Sequence, residues 1–294
     1  MGHRADDFTL SPASGVRLAG TEEGEGAPIV LLHGLTATRR YVVHGSRMLA
    51  RSGHRVLAYD ARGHGESSPA PRRDAYEYSD LVCDLRALLH ELASERVVLV
   101  GSSMGAATAM ALALAEPERV AALVQVTPAY DGAPRDGSPR EGAPQHDGES
   151  REPHRGEPTT WPQLADDLDA GDIDAFVEHV GVRAVPERYR EPAELALRQR
   201  LGRHRDPHAV ADALRVVPYS RAFDGLEALA DLDLPVLVVA SRDEADPGHP
   251  LALARDYARL LPRSRLLVEE EGESPLAWRG AQLSRAIADF LAES

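Results

Sequence analysis

The 294-residue chain contains a single cysteine, Cys83, so no intramolecular disulfide can brace it. Its setting, DLVCDLRALL, has an amphipathic helical pattern in which a small apolar thiol is expected on the buried face. Long apolar runs are also missing. No stretch approaches the roughly 20 residues of a bilayer-spanning helix, and the opening MGHRADDFTL carries no apolar signal core. With Asp6 where N-myristoylation requires Ser or Thr, the start does not meet that pattern. A cytoplasmic location away from membranes is the expectation. Positive charge is scarce too: 33 basic residues face 47 acidic ones, for a formal charge of −14. Nucleic-acid binding draws on clustered cations that release counterions, so nucleic acid is not an expected partner. The same field disfavours an anionic small molecule unless local arginines overcome it. Metal-ligand spacings such as H-E-x-x-H and glycine-rich phosphate loops are lacking, and no cofactor is expected.

What is present suffices for a packed core, with 43% hydrophobic and 27% charged residues. Short apolar, often Val-rich runs at Ile29 to Leu32, Val56 to Tyr59, Val97 to Val100, Ala121 to Val126, Val236 to Ala240 and Leu266 to Val268 read as buried strands. Helical spacing fills the intervals at Tyr41 to Arg51, Tyr78 to Leu92, Ser103 to Ala115, Leu251 to Leu261 and Ala281 to Leu291. Such alternation implies a mostly parallel, twisted sheet flanked by helices, with its chemistry in the loops beyond the strands' carboxyl ends. The pattern divides the chain into a core of residues 1–128 and 230–294, a Pro-, Gly- and charge-rich loop at 129–160 expected to be disordered, and a helical cap at 161–229.

The most specific motif is Gly101-x-Ser103-x-Gly105, which follows the strand Val97 to Val100 and opens the helix AATAMALALA. That context is what a nucleophile elbow requires. The flanking glycines permit close backbone approach, and the helix N-terminus directs its dipole and free amides at a developing oxyanion.

At this point the chain resembles the α/β-hydrolase superfamily. His33-Gly34-Leu35 after the strand Ile29 to Leu32 is similar to that family's oxyanion loop, and Asp60-x-Arg62-Gly63-His64-Gly65-x-Ser67 matches its D-x-R-G-x-G-x-S turn. The resemblance covers residues 8–128 and 230–292. It implies the α/β-hydrolase fold and an oxyanion hole formed by the backbone amides of Leu35 and Met104. His33 then shapes its loop, and His64 belongs to a turn remote from the chemistry.

A triad acid is expected after the strand Val236 to Ala240. Asp243 fills the position, with Asp246 as the alternative and capping of the next helix as its competing role. The third member should follow the strand Leu266 to Val268. There the chain reads Glu269-Glu-Glu-Gly-Glu-Ser-Pro, with Glu273 where the family presents its histidine in G-H-S-P. A glutamate of pKa about 4.3 is a far weaker base than imidazole. Beside Asp243 it would share a proton at a raised apparent pKa. His249, in Asp246-Pro-Gly-His249-Pro250, is another candidate base, and His179, His204 and His208 of the cap are weaker ones.

Two functions follow. One is a serine hydrolase of small carboxylic esters, thioesters or lactones, with Ser103 as nucleophile and Glu273 or His249 as a non-standard base. The other is a non-hydrolytic protein of the same fold, either a ligand-binding pseudoenzyme or a lyase or isomerase using Glu273 as proton carrier. The charged loop from Asp131 to Pro158 supports only weakly a third role, in partner interaction.

Overall fold

The computed structural model describes residues 5–92, 96–132, 160–182 and 185–294. Eight strands form one sheet in the order β1-β2-β4-β3-β5-β6-β7-β8. The six runs read from the sequence become β3 (Ala27–Leu32), β4 (His54–Tyr59), β5 (Val97–Ser102), β6 (Val120–Val126), β7 (Val236–Ala240) and β8 (Ser264–Val268), all parallel. The mostly parallel α/β architecture is therefore as expected. Two antiparallel strands at one edge were not legible in the sequence: β1 (Asp6–Leu10) and β2 (Leu18–Glu23). Both are short and polar, and β1 pairs only with β2, so neither carries the continuous apolar run of a strand buried on two faces.

Alternate residues of the central strands enter opposite cores, as the two-residue period of a strand requires. Val30, Leu32, Leu99, Leu123 and Val238 pack with α2 (Tyr78–Glu91), α3 (Met104–Ala115) and α8 (Leu251–Leu260). Ile29, Leu31, Val100, Val124 and Val239 pack against α1 (Met48–Arg51) and α9 (Gly280–Glu293) on the other side. Two sequence expectations change here. The helix expected from Tyr41 to Arg51 is α-helical only at Met48–Arg51, because the chain breaks at His44 and Gly45, both at positive φ. Cys83 is exposed: on α2 its neighbours Leu81, Val82, Asp84 and Leu85 take the inward positions.

Among the described residues between β6 and β7 lie the α-helices α4 (Trp161–Asp169), α5 (Ile173–His179), α6 (Glu187–Leu201) and α7 (Pro207–Val216), where helical spacing predicted them. They share an apolar cluster that includes Leu164, Phe176, Leu197 and Leu214, and Leu35 of the core packs against it. From residue 133 the expected disordered loop lies outside the described residues.

The turn after β4 uses nearly every residue of its motif. The Asp60 carboxylate accepts from the Arg39 and Glu66 amides and pairs with the Arg39 guanidinium, while Ser67 Oγ donates to the Asp60 carbonyl. Arg62 and Asp84, both 1% exposed, form a two-pronged ion pair at 2.7 and 2.8 Å. A Cβ at Gly65 would fall 2.2 Å from the Asp60 carboxylate, which explains glycine there. The turn is thereby locked against both the β3 loop and α2, fixing one wall beneath the site.

Candidate active site

Ser103 stands between the end of β5 and the start of α3 with φ 50° and ψ −110°, in the left-handed half of the backbone map. A residue with a Cβ is held there only if its surroundings over-determine it. Here the Ser103 amide donates to Val126 and its carbonyl accepts from Ala107, at 3.0 Å each. The flanking glycines are obligatory for a second reason. A Cβ at Gly101 would lie 2.3 Å from the Gly105 carbonyl, and one at Gly105 would lie 2.3 Å from that of Leu32.

His249 reaches this serine. Its Nε2 is 3.0 Å from Ser103 Oγ, and its Nδ1 is 2.8 Å from Asp246 Oδ1. A carboxylate can only accept, so Nδ1 carries the proton and donates to Asp246, leaving the Nε2 lone pair to accept from the serine hydroxyl. Both partners come from the loop between β7 and α8, three residues apart, and the His249 amide donates to the Asp246 carbonyl to close a turn around Pro247-Gly248.

The other sequence-derived candidates sit elsewhere. Asp243 is exposed and its Oδ1 accepts from the Leu251 amide at 2.7 Å, capping α8. Glu273 is exposed and accepts from Arg279 at 2.8 Å, while Tyr189 Oη donates to its backbone carbonyl. The expected carboxylate pair is therefore not formed, since a charged loop glutamate is better served by water and a guanidinium than by a second carboxylate. Glu269, of the same loop, is buried and accepts from the Arg242 amide, tying the loop after β8 to the loop that bears His249. Among the cap histidines, His179 bonds with Asp167 and His208 with Asp169.

His204 is used differently. Its Nδ1 accepts from the Gly65 amide at 3.0 Å and its Nε2 donates to the Thr36 carbonyl at 2.9 Å, so the turn between α6 and α7 is bonded to both core loops. His33 donates from Nδ1 to Gly34 and accepts at Nε2 from Ala61, which fixes the loop carrying Leu35. The ring centroids of His33 and His64 are 5.1 Å apart, and those of His64 and His204 are 5.6 Å apart. Burial lowers the pKa of all three below the ordinary histidine value, His204 to about 4.

Beside Ser103 lies a cavity of about 480 Å³, within the range of small-molecule sites. Gly34 and Leu35 form its floor; a Cβ at Gly34 would sit 3.3 Å from that of Ser103, so the two loops touch. Met104 opens α3, where a first-turn amide has no intrahelical acceptor. The roof is largely apolar, with Trp161, Leu164, Phe176 and Leu197 from the insert. Tyr41, His44 and Arg200 also line it and were not singled out from the sequence. Spacing along α6 places Ala193, Ala196, Leu197 and Arg200 on one stripe, but only the docking of the insert shows that this stripe meets the cavity.

A sequence model of the alpha/beta hydrolase fold matches residues 27–278. The chain belongs to the alpha/beta hydrolase fold family. This alpha/beta hydrolase-fold chain is 27% identical over 291 residues to a putative 2-succinyl-6-hydroxy-2,4-cyclohexadiene-1-carboxylate synthase of Bacillus subtilis (strain 168), covering 96% of this chain and 97% of that protein. It is 43% identical over 102 residues to the sn-1-specific diacylglycerol lipase ABHD11 of Xenopus laevis, covering 34% of this chain and 32% of the lipase. Its matched segment thus spans about a third of that lipase's length. In three dimensions the alpha/beta hydrolase fold superposes on the enol-lactonase from Burkholderia xenovorans LB400 with a TM-score of 0.75 at 21% identity, over 97% of this chain and 100% of the lactonase. Among the described residues no helix is long and apolar enough to cross a membrane.

Proposed function

We propose that the protein hydrolyses small carboxylic esters, thioesters or lactones through Ser103, with His249 as general base and Asp246 as the carboxylate that orients it. The observation that carries this reading is the hydrogen-bonded series from Ser103 Oγ through the His249 ring to Asp246, at 3.0 and 2.8 Å. Both lie within the reach a general base needs. The family relationship supports hydrolysis.

In the reaction His249 Nε2 takes the hydroxyl proton as Ser103 Oγ bonds to the substrate carbonyl carbon. The negative charge on the carbonyl oxygen is met by the amides of Leu35 and Met104. Collapse of the tetrahedral intermediate breaks the bond to the leaving oxygen or sulfur, which receives the proton from His249. Water, deprotonated by the same imidazole, then attacks the acyl carbon and frees Ser103. The insert acts as a cap that supplies the apolar roof and excludes bulk water. The alternative of a lyase or isomerase using Glu273 finds no support in its placement, because that carboxylate is exposed and paired with Arg279.

The test is labelling by a fluorophosphonate probe together with turnover of 4-nitrophenyl butyrate. Wild type should react, Ser103→Ala should not, and His249→Ala should lose on the order of a thousandfold or more in kcat. Undiminished turnover in His249→Ala would falsify the assignment of the base.

A further inference from the structure

Among the described residues, the cavity beside Ser103 holds a cation that no carboxylate pairs with. Arg200, in the last turn of α6, is half-buried among the cavity-lining residues, and its Nε is wholly enclosed without a hydrogen-bond partner. Among the described residues its guanidinium makes neither a hydrogen bond nor an ion pair. Its neighbour Arg198, which faces out, pairs with both Asp174 and Glu194. An enclosed N–H without an acceptor, as at Arg200 Nε, is costly, and such a group persists where something else supplies the acceptor. Burial draws Arg200 below the ordinary arginine value, Asp246 and Tyr41 oppose that, and the group stays charged.

Asp246 acts on Arg200 only at a distance, with no hydrogen bond or ion pair between them among the described residues, and its Oδ1 serves His249. Tyr41 accepts instead from Arg203, and His44 donates to the Ala277 carbonyl. The fork of Arg200 is thus unspent within the same cavity as Ser103 and His249. Its shape suits the two parallel oxygens of a carboxylate. The molecule's charge of −14 repels anions from most of the surface, which gives one local cation the greater discriminating power.

We propose that Arg200 is a specificity-determining residue that binds a carboxylate on the substrate. The favoured class is a monoanionic acyl ester, thioester or lactone, with the carboxylate on Arg200, the scissile carbonyl at Ser103 and an apolar body under the cap. This rests on the hydrolase reading, and the experiment separates the two.

Mono-4-nitrophenyl esters of succinate, glutarate and adipate are compared with their neutral methyl diesters, as the ratio of kcat/KM, in wild type, Arg200→Gln and Arg200→Lys. The best anionic ester should exceed its neutral partner by roughly ten- to a hundredfold in wild type, the worth of one charge-assisted hydrogen bond. That ratio should collapse in Arg200→Gln and be partly kept in Arg200→Lys. Because it is a ratio, a general loss of activity in a variant cancels. A wild type that prefers the neutral ester, or a preference untouched by Arg200→Gln, overturns the proposal. If neither ester is turned over with Ser103 dependence, the hydrolase reading fails and calorimetric binding of 4-phenylbutyrate against 4-phenylbutyramide decides. Carboxylate binding weakened at least tenfold by Arg200→Gln sustains the anchor, and equal binding in both proteins refutes it.

Discussion

At the scale of single residues, the site separates three carboxylates that composition alone makes equivalent. Asp246 touches the imidazole, Asp243 caps a helix and Glu273 faces water. Asp246→Asn should therefore lower kcat by about a hundred- to ten-thousandfold, through loss of the correct tautomer and of imidazolium stabilisation. Glu273→Gln should stay within about twofold of wild type, a surface change away from the chemistry. Steady-state kinetics on one ester reads both. Ser103 supplies a different prediction. Its φ of 50° stores strain, so Ser103→Gly should raise the thermal midpoint while turnover vanishes, by roughly 1 to 3 kcal/mol if all the strain is released. A lowered midpoint would mean that the serine side chain is stabilising after all.

At the scale of elements, what could be read from the sequence followed from how locally each signal is written. The six parallel strands announce themselves because burial on both faces makes each a short Val-rich run, and the elbow because two close approaches admit only glycine at 101 and 105. His249 was one candidate among several because its reach to Ser103 spans 146 positions and depends on how the loop after β7 folds back. Glu273 stood beside it as a candidate because the loop after β8 is where the family presents its histidine, and sequence position alone does not show that this side chain meets Arg279. Arg200 was invisible for the reason already given: helical spacing defines a stripe and not its partner. The cap on α8 is testable at this scale. Asp243→Ala should cost about 1 kcal/mol, the usual worth of one hydrogen bond, here from the Leu251 amide. It should also lower kcat, since Leu251 follows His249 by only two residues. Urea unfolding with parallel kinetics separates the two effects.

At the scale of the molecule, the insert is bonded to the core through a histidine that must remain neutral. His204 accepts from Gly65 with the nitrogen that protonation would occupy, and its pKa is held to about 4 by burial, with Thr36 and Asp60 opposing and His33 and Arg200 reinforcing. A buried histidine with a depressed pKa contributes fully above the unfolded value near 6.5, and that contribution is lost as pH falls towards 4, at roughly 1.4 kcal/mol per pH unit. His33 and His64 act in the same direction. Thermal midpoints should fall between pH 7 and 4, and His204→Gln, which can present one acceptor and one donor, should flatten that slope. An unchanged slope would place the acid sensitivity elsewhere.

In the proposed mechanism the short segment from Asp246 to His249 supplies both partners of the serine, and the loop after β8 has no proton to carry. The side chains at 270, 271, 273 and 274 are then free to vary, while Gly272 at φ 76°, Glu269, Asp246 and His249 are not. A saturation library scored for turnover should show broad acceptance at 270, 271, 273 and 274 and near-complete intolerance at 246 and 249. On the same proposal, single-residue insertions between Asp246 and His249 should displace the base and its orienting carboxylate together, whereas insertions at the β8 loop should leave both in place.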